Sequence, residues 1–233
     1  MFIRRSLLHQ SIDAAAEYRK PTNQRLIDDF HRLYYFSLGT DKDATSTFWL
    51  GQPVWKTPLD LWVFQEIIAE TKPDVIIEAG TYKGGSAFYM ASVCDLLNHG
   101  RVITMDIKEF PGRPAHPRIT YLIGNDIAGD TVAKVKALIK PSERIMVVLD
   151  DGHEKEQVLS ELRIYGDMVT TGNYVIVEDT NRGSVVRIHP GERSGPLDAV
   201  EQFLKETDKF TVDSSREKFL LTFNHKGYLK RVK

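Results

Sequence analysis

The stretch VIIEAGTYKGGS, residues 75–86, decides the fold, because a short apolar run leads there into a glycine-rich turn. Residues 75–79 have the length and composition of a buried β-strand, and the glycines after them let the backbone turn closely around a ligand. The residues from Ser86 to Leu97 have the apolar pattern of a helix, whose first N–H groups would face that turn. The stretch therefore predicts a strand, a ligand-binding loop and a helix in succession.

Beyond this unit, apolar runs of strand length alternate with helical patterns. We predict strands over residues 75–79, 101–106, 119–123, 145–150, 174–179, 210–213 and 219–223, the last two pairing antiparallel. We predict helices over residues 86–97, 131–139, 156–169 and 197–206. Strands separated by helices indicate an α/β fold with a mostly parallel seven-stranded sheet covered on both faces. In such sheets, ligands bind at the carboxyl ends of the strands, where the strand order reverses.

The residues before the sheet have a helical pattern, and we divide the chain into an N-terminal helical extension, 1–70, and an α/β domain, 71–233. One helix begins at Thr57, which suits the N-cap, with Pro58 in the first helical position and Asp60 as a capping-box acid. Trp62 is expected to pack in the core. An earlier helix has an apolar stripe, formed by Leu26, Ile27, Phe30, Leu33 and Tyr34.

Composition excludes several classes of function. The chain has 233 residues and a formal net charge of -1, so no global basic field attracts nucleic acid or an anionic membrane. The single cysteine, Cys94, excludes an internal disulfide and lies in an apolar run, where we expect a buried thiol. The first 20 residues lack the apolar core of a signal peptide, and no run is long enough to span a membrane. We therefore expect a cytoplasmic protein without nucleic-acid partners.

The glycine-rich loop favours S-adenosylmethionine over other nucleoside cofactors. Gly80, Gly84 and Gly85 match neither the G-x-G-x-x-G spacing of dinucleotide sites nor the end of a phosphate loop. Glu78 would attract a cationic sulfonium amino acid, and Asp106, at the end of the second strand, has the usual position of a ribose-binding carboxylate. The predicted cofactor-binding residues are Glu78, Gly80, Thr81, Tyr82, Gly84, Ser86, Asp106, Asn125, Asp126 and Asp150.

Acidic residues end the fourth and fifth strands, at Asp150-Asp151 and Glu178-Asp179. Neighbouring strands lie about 4.8 Å apart, so carboxylates at their tips can share one cation. Oxygen ligands select a hard ion such as Mg²⁺, Mn²⁺ or Ca²⁺. His153 could then remove the proton of a metal-bound hydroxyl. The alternative is that these acids only cap helices and satisfy loops, which is the role we expect for Asp151.

An ordered set of motifs resembles the cephalosporin hydroxylase / rhamnosyl O-methyltransferase family over about residues 45 to 210. The motifs are residues 49–53, 58–62, 65–66, 78–80, 84–86, 106–107, 149–150 with His153, 178–180, 195–196 and 199–200. The resemblance implies a Rossmann-like class I methyltransferase fold, S-adenosylmethionine, usually Mg²⁺ (or Mn²⁺), and Asp150, Glu178 and Asp179 as metal ligands. The chain is also similar to macrolide-sugar O-methyltransferases, which implies that His153 is the catalytic base. Family members form oligomers, so we expect a homo-oligomer.

The acceptor is expected to be a hydroxyl on a sugar or polyketide-like scaffold. Tyr34, Trp49 and Trp55 could stack on it, and the Arg-containing loop 181–194 could close over it, although a solvated surface loop is equally compatible with that sequence. A catechol-like diol as the acceptor remains an alternative. A cofactor-binding subunit without activity is a second alternative, disfavoured by the intact acids and His153. A third, an NAD-dependent oxidoreductase, is disfavoured by the glycine spacing.

Overall fold

The computed structural model of this chain describes residues 21–38, 47–182 and 194–233. Its helices are α1 (Pro21–Leu38), α2 (Pro58–Thr71), α3 (Gly85–Leu96), α4 (Gly129–Ala137), α5 (Lys155–Gly166) and α6 (Pro196–Glu206). Its strands are β1 (Phe48–Trp49), β2 (Gln52–Pro53), β3 (Val75–Ala79), β4 (Arg101–Asp106), β5 (Ile119–Ile123), β6 (Ile145–Leu149), β7 (Tyr174–Val177), β8 (Phe210–Val212) and β9 (Tyr228–Arg231).

Seven strands form one sheet in the order β5-β4-β3-β6-β7-β9-β8, while β1 and β2 form a separate hairpin. The strands from β5 to β7 are parallel, and β9 pairs antiparallel with both β7 and β8. The predicted α/β class with a mostly parallel seven-stranded sheet is thus confirmed. The chain runs from β3 outward in one direction and then returns to β6 on the other side, so the strand order reverses between β3 and β6.

Two hydrophobic cores cover the two faces of the sheet, because successive side chains of each strand point to opposite sides. Ile77 and Val147 pack in the core on the side of α5 and α6. Ile76 and Met146 pack on the other side, in the core that contains α2 and α3. Cys94 is a buried free thiol in this second core, as predicted.

Helix α2 begins as predicted, but its acid has a different role. The side chain of Thr57 accepts a hydrogen bond from the Asp60 N–H (3.1 Å), and Pro58 occupies the first turn. The buried Asp60 carboxylate accepts hydrogen bonds from the Tyr228 hydroxyl (2.9 Å) and the Phe223 N–H (3.1 Å) rather than closing a capping box. Asp60 therefore fastens α2 to the C-terminal segment.

Three details of the sequence interpretation are wrong. Residues 219–223 form no strand, because the Phe223 N–H donates its hydrogen bond to the Asp60 carboxylate. The second antiparallel strand is Tyr228–Arg231 instead. Trp62 is 58% exposed and does not pack in the core, since the buried face of α2 carries its other apolar residues. On α1, Leu26 and Leu33 are exposed, and the packed face carries Phe30, His31 and Tyr34 instead.

Helix α2 connects the N-terminal region to the sheet, because it shares its hydrophobic core with strand β3. Residues 1–20 and 39–46 of the predicted extension lie outside the described residues, and the 70/71 boundary stays a prediction. None of the described helices combines the length and apolar character needed to cross a bilayer.

Candidate active site

A cavity of about 590 Å³ opens at the carboxyl ends of β3, β4 and β6, where the strand order reverses. Its walls bring together most of the predicted cofactor residues: Gly80, Thr81, Tyr82, Ser86, Asp106, Asn125, Asp126 and Asp150. Its other wall carries His153, Asp179 and aromatic side chains. One cavity therefore connects the glycine-rich loop to the strand-end acids.

The glycines of the loop are required by close packing of the backbone. A Cβ at Gly80, where φ is +95°, would lie 2.0 Å from the Asp150 carbonyl oxygen. A Cβ at Gly85 would lie 1.9 Å from the Pro53 carbonyl oxygen. Gly84 is the N-cap of α3 in the left-handed region and lies outside the cavity wall. The loop can therefore approach both its neighbours and a ligand only without side chains at these points.

Glu78 lies behind the loop rather than in the cavity wall. Its buried carboxylate accepts hydrogen bonds from the hydroxyls of Ser86 and Thr104, the latter at 2.6 Å. Burial raises the pKa of Glu78 to about 7, with the positive charge of Lys56 opposing that rise. Glu78 therefore lies behind Ser86, which does line the cavity, and not in the wall where a ligand-contacting residue is expected.

Asp106 ends β4 with its carboxylate in the cavity wall. One oxygen accepts a hydrogen bond from the Tyr82 N–H (2.8 Å) and the other from the Lys108 N–H (3.2 Å). These bonds fix the carboxylate at the edge of the loop, where lone pairs remain available for two vicinal hydroxyls. Tyr82 itself has a positive φ of 44°, so its backbone conformation is part of this arrangement.

The strand-end acids meet as predicted, and His153 joins them. Asp150 follows β6, and Glu178 and Asp179 follow its neighbour β7. The His153 Nε2 lies 2.9 Å from the Asp179 Oδ2. Asp179 has a positive φ of 52°, and its N–H donates to the Asn224 side-chain oxygen (3.1 Å), which holds this strained residue in place.

Lys56 is the functional residue that the sequence interpretation missed. It lies between β2 and α2, and its Nζ is 2.5 Å from both the Asp150 Oδ2 and the Glu178 Oε1. Its side chain is only 2% exposed. Burial acts to lower the pKa of Lys56, but the carboxylates of Asp150 and Glu178 outweigh that effect and raise it. Lys56 is therefore a buried ammonium ion within the acid cluster.

Burial raises the pKa values of Asp150 and Glu178, and Lys56 opposes the rise in both. For Glu178, the Asp150 carboxylate is the second cause of the increase. Two buried carboxylates so close together repel each other, and a single ammonium ion neutralises only one negative charge. When both carboxylates are ionised, the pair therefore keeps a negative charge that a further cation can balance.

The donor set fits a divalent cation. One ligand atom each from Asp150, His153 and Asp179 lies within 4.8 Å of the others, which is a span that one ion can bridge. Within the part of the chain that the structure describes, this compact group includes His153 in place of the predicted Glu178, whose Oε1 contacts Lys56. Carboxylate oxygens predominate, so Mg²⁺ or Mn²⁺ suits the site.

A second group of acids consists of Asp126, Asp151 and Glu161, of which Asp126 and Asp151 line the cavity. The Glu161 side chain is fully buried beside the other two acids. Burial, followed by the charges of Asp151 and Asp126, raises the pKa of Glu161 to about 10. Asp151, which we expected to be a loop or cap residue, accepts a hydrogen bond from Gln157 (3.1 Å) at the start of α5. Glu161 is therefore expected to hold a proton at neutral pH.

Aromatic side chains form the cavity wall beside Asp179. Tyr34 of α1 and Phe223 contact edge-to-face, 5.4 Å apart, and Trp55 lies 6.0 Å from Tyr82. Trp49, for which both stacking on the acceptor and packing in the core are compatible with the sequence, packs on Tyr89. Arg182 lines the same wall, whereas residues 183–193 of the predicted lid lie outside the described residues.

Comparisons with known proteins identify relatives of this chain. The family model described as Rhamnosyl O-methyltransferase/CmcI matches residues 42–232. A rhamnosyl O-methyltransferase of Mycobacterium leprae (strain TN) is 30% identical over 91% of this chain and 93% of its own length. One of Mycobacterium tuberculosis (strain ATCC 25618 / H37Rv) is 29% identical over 94% of this chain and 89% of its own.

Solved structures of CmcI have the same fold. The apo structure of its N160 form has a TM-score of 0.62 at 21% identity, and covers 86% of this chain and 84% of CmcI. The D160 form with Mg and SAM has a TM-score of 0.61 at 18% identity, with the same coverage. Together with the match of the family model over most of the sequence, this means that the chain belongs to the Rhamnosyl O-methyltransferase/CmcI family of S-adenosylmethionine-dependent O-methyltransferases.

Proposed function

We propose that this protein transfers a methyl group from S-adenosylmethionine to a hydroxyl of a sugar or natural-product scaffold, with a divalent cation held beside that hydroxyl. The observation that carries the proposal is the single cavity that joins Asp106 and the Gly80 loop to Asp150, His153 and Asp179. A methyl donor and an acceptor hydroxyl bound in one cavity can react directly, since proximity supplies much of the rate acceleration.

The cofactor would occupy the end of the cavity formed by the glycine-rich loop. Asp106 would accept the ribose hydroxyls, and Asn125 and Asp126 would line the base. Ser86 would face the amino-acid portion, with Glu78 behind it as a source of negative charge. Glu78, Gly84 and the other loop glycines would shape this end rather than contact the reacting methyl group.

The metal would be held by Asp150 and Asp179, with Glu178 as the third carboxylate of the predicted set and His153 at hand. Mg²⁺ or Mn²⁺, when bound, would lower the pKa of the acceptor hydroxyl. This proposal is supported by the spacing of the donor atoms and by the solved structure of the CmcI D160 form with Mg and SAM.

His153 would act as the general base. If its Nε2 carries the proton and donates it to Asp179, the Nδ1 has a free lone pair that can accept the hydroxyl proton. Asp179 would then fix the tautomer and stabilise the imidazolium that forms, as a carboxylate does beside any catalytic histidine. The bond from the sulfonium sulfur to the methyl group would break as the bond to the acceptor oxygen forms, leaving a methyl ether, S-adenosylhomocysteine and a protonated His153.

The acceptor would lie against Tyr34, Trp55 and Phe223. Aromatic faces bind the apolar faces of sugars and polyketides, which supports that class of acceptor. The rhamnosyl O-methyltransferases among the relatives point the same way. We also propose a homo-oligomer, supported by the exposed apolar side chains Leu26 and Leu33 of α1.

The test is cofactor turnover on a panel of acceptors. Purified protein, S-adenosylmethionine and Mg²⁺ are incubated with rhamnosides, other deoxysugar glycosides and simple catechols, and formation of S-adenosylhomocysteine is measured. We expect turnover with a glycoside, its loss in EDTA, and its loss in Asp150→Ala. Asp167→Ala, which removes an exposed acid of the same type, is the matched control. Methylation of catechols alone would overturn the acceptor class, and full activity in EDTA would overturn the metal role.

A further inference from the structure

We infer that Lys56 is a built-in cation of the metal site, which competes with the divalent ion for the strand-end carboxylates. This inference rests on the proposed metal site, and it assigns a role to a residue that neither the motifs nor the proposed reaction uses. Lys56 contacts no part of the reacting hydroxyl in this scheme, so we describe it as a positioning residue.

The position of Lys56 between two strand-end acids supports its role as a competing cation. The Lys56 Nζ bridges two acids on neighbouring strands, 2.5 Å from the Asp150 Oδ2 and 2.5 Å from the Glu178 Oε1. Those two carboxylates belong to the predicted metal set, so the ammonium ion occupies oxygens that a metal would otherwise bind. Asp179 and His153 contact each other instead. Lys56 and a metal ion would therefore share the acids of this site, with Lys56 bound to Asp150 and Glu178.

The surroundings of Lys56 hold it in this position. Its side chain is buried and passes 5.9 Å from the ring centre of Phe64, in helix α2. Its chain neighbours are also fixed: Thr57 caps α2, and Trp55 lines the cavity. An ammonium ion on such a stem cannot move to solvent without reorganising the start of α2. It consequently stays close to the acids whether or not a metal is bound.

The charge balance of the site predicts how the loss of the Lys56 charge changes its affinity for a metal ion. Asp150, Glu178 and Asp179 carry up to three negative charges, and Lys56 supplies one fixed positive charge among them. A divalent ion that enters this site is repelled by Lys56 and finds two carboxylate oxygens already engaged. Like charges a few ångströms apart interact strongly in a partly buried site. Removing the lysine charge should therefore tighten metal binding, while leaving the metal-free protein less stable.

The experiment measures Mn²⁺ binding directly, by isothermal calorimetry and by the loss of the free-ion EPR signal, without substrate. Lys56→Gln keeps a hydrogen-bond donor but removes the charge. We expect it to bind Mn²⁺ at least about tenfold more tightly than the wild type. The metal-free variant should unfold at a lower temperature, and saturating Mn²⁺ should restore much of that loss. Lys155→Gln, which removes a positive charge at the start of α5, is the matched control and should change the affinity less than about twofold.

Unchanged or weaker Mn²⁺ binding by Lys56→Gln would overturn the inference. A variant that fails to fold even with Mn²⁺, while Lys56→Gln combined with Glu178→Gln folds, would overturn it as well, because the lysine would then be a structural counter-ion only. Failure of the double variant to fold would also count against a competing cation, since the lysine would then be required for folding itself. If the wild type itself binds no Mn²⁺, the proposed metal site fails and the inference fails with it. If the wild type binds Mn²⁺ and only the tightening is missing, the proposed function stands.

Discussion

Replacing Gly80 by alanine tests whether the glycine-rich loop is shaped by its contact with the neighbouring strand. Gly80 has a φ of +95°, and the added Cβ would lie 2.0 Å from the carbonyl oxygen of Asp150. Backbone atoms cannot give way as a flexible side chain does, so either the loop or the segment that carries Asp150 must move. The substitution therefore disturbs stability and the metal site through the same contact.

The magnitude has two parts. Alanine in the left-handed region costs about 1–2 kcal/mol, whatever the space around it. Overpacking adds about 1–3 kcal/mol, and a contact this close to backbone belongs at the upper end of that range. We expect Gly80→Ala to lose about 3–5 kcal/mol in the free energy of unfolding. For a chain of this size, each 1 kcal/mol lowers the melting temperature by about 2–4 °C.

Gly172→Ala is the matched control. Gly172 has a φ of +90° in the turn before β7, but nothing lies within 4 Å of its added Cβ. It should lose only the backbone part, about 1–2 kcal/mol. Urea unfolding monitored by circular dichroism gives both values, and Mn²⁺ titration of the folded variants reports the state of Asp150. Equal losses at the two sites, or an unchanged Mn²⁺ affinity in Gly80→Ala, would refute the reasoning.

Three further substitutions test separate parts of the site. Asp106→Ala should weaken S-adenosylmethionine binding about 10- to 100-fold in calorimetry, as expected for loss of a charged hydrogen-bond acceptor, and an unchanged affinity would contradict its role. His153→Ala should lower kcat about 10²- to 10⁴-fold at nearly constant cofactor affinity, and weakened cofactor binding would instead indicate a structural role. The pKa of Glu161 is raised from 4.5 to about 10, so the folded state holds this proton more tightly than the unfolded chain, and stability falls as pH rises through that interval. Glu161→Gln should therefore melt higher than the wild type at pH 8 and nearly the same at pH 4.5, and a constant difference across pH in differential scanning fluorimetry would refute this.

Much of the fold could be predicted because the central strands are continuous apolar runs. The bounds of β4 and β5 agree with the prediction, Arg101–Asp106 and Ile119–Ile123. The last strand could not be found in the same way. Residues 219–223 are more apolar than the true strand Tyr228–Arg231. They form no strand because the Phe223 N–H donates to the Asp60 carboxylate. A contact across the whole chain outweighs local propensity there.

The site could be predicted where it follows from the direction of the strands. Carboxyl ends of parallel strands share one edge of the sheet, so Asp150 and Asp179 had to be neighbours. Lys56 follows from no such rule, since 94 residues separate it from Asp150 and 122 from Glu178. The one available signal is a lysine between Trp55 and the N-cap Thr57, in a segment otherwise apolar enough to enter the core. When a helix begins at the edge of a sheet, the residues just before it can enter a site at that edge.

The two acid groups differ chiefly in how their charge is neutralised, and this difference explains why one suits catalysis and the other does not. Lys56 lies between Asp150 and Glu178 and opposes the rise that burial causes in the pKa of each, which favours their ionised forms beside the cavity. Burial and the charges of Asp151 and Asp126 raise the pKa of Glu161 to about 10, so a bound proton neutralises it instead. Protonated acids do not compete for a metal. The adjacent residues Asp150 and Asp151 thus belong to two different groups: Asp150 contacts Lys56, and Asp151 lies beside Glu161.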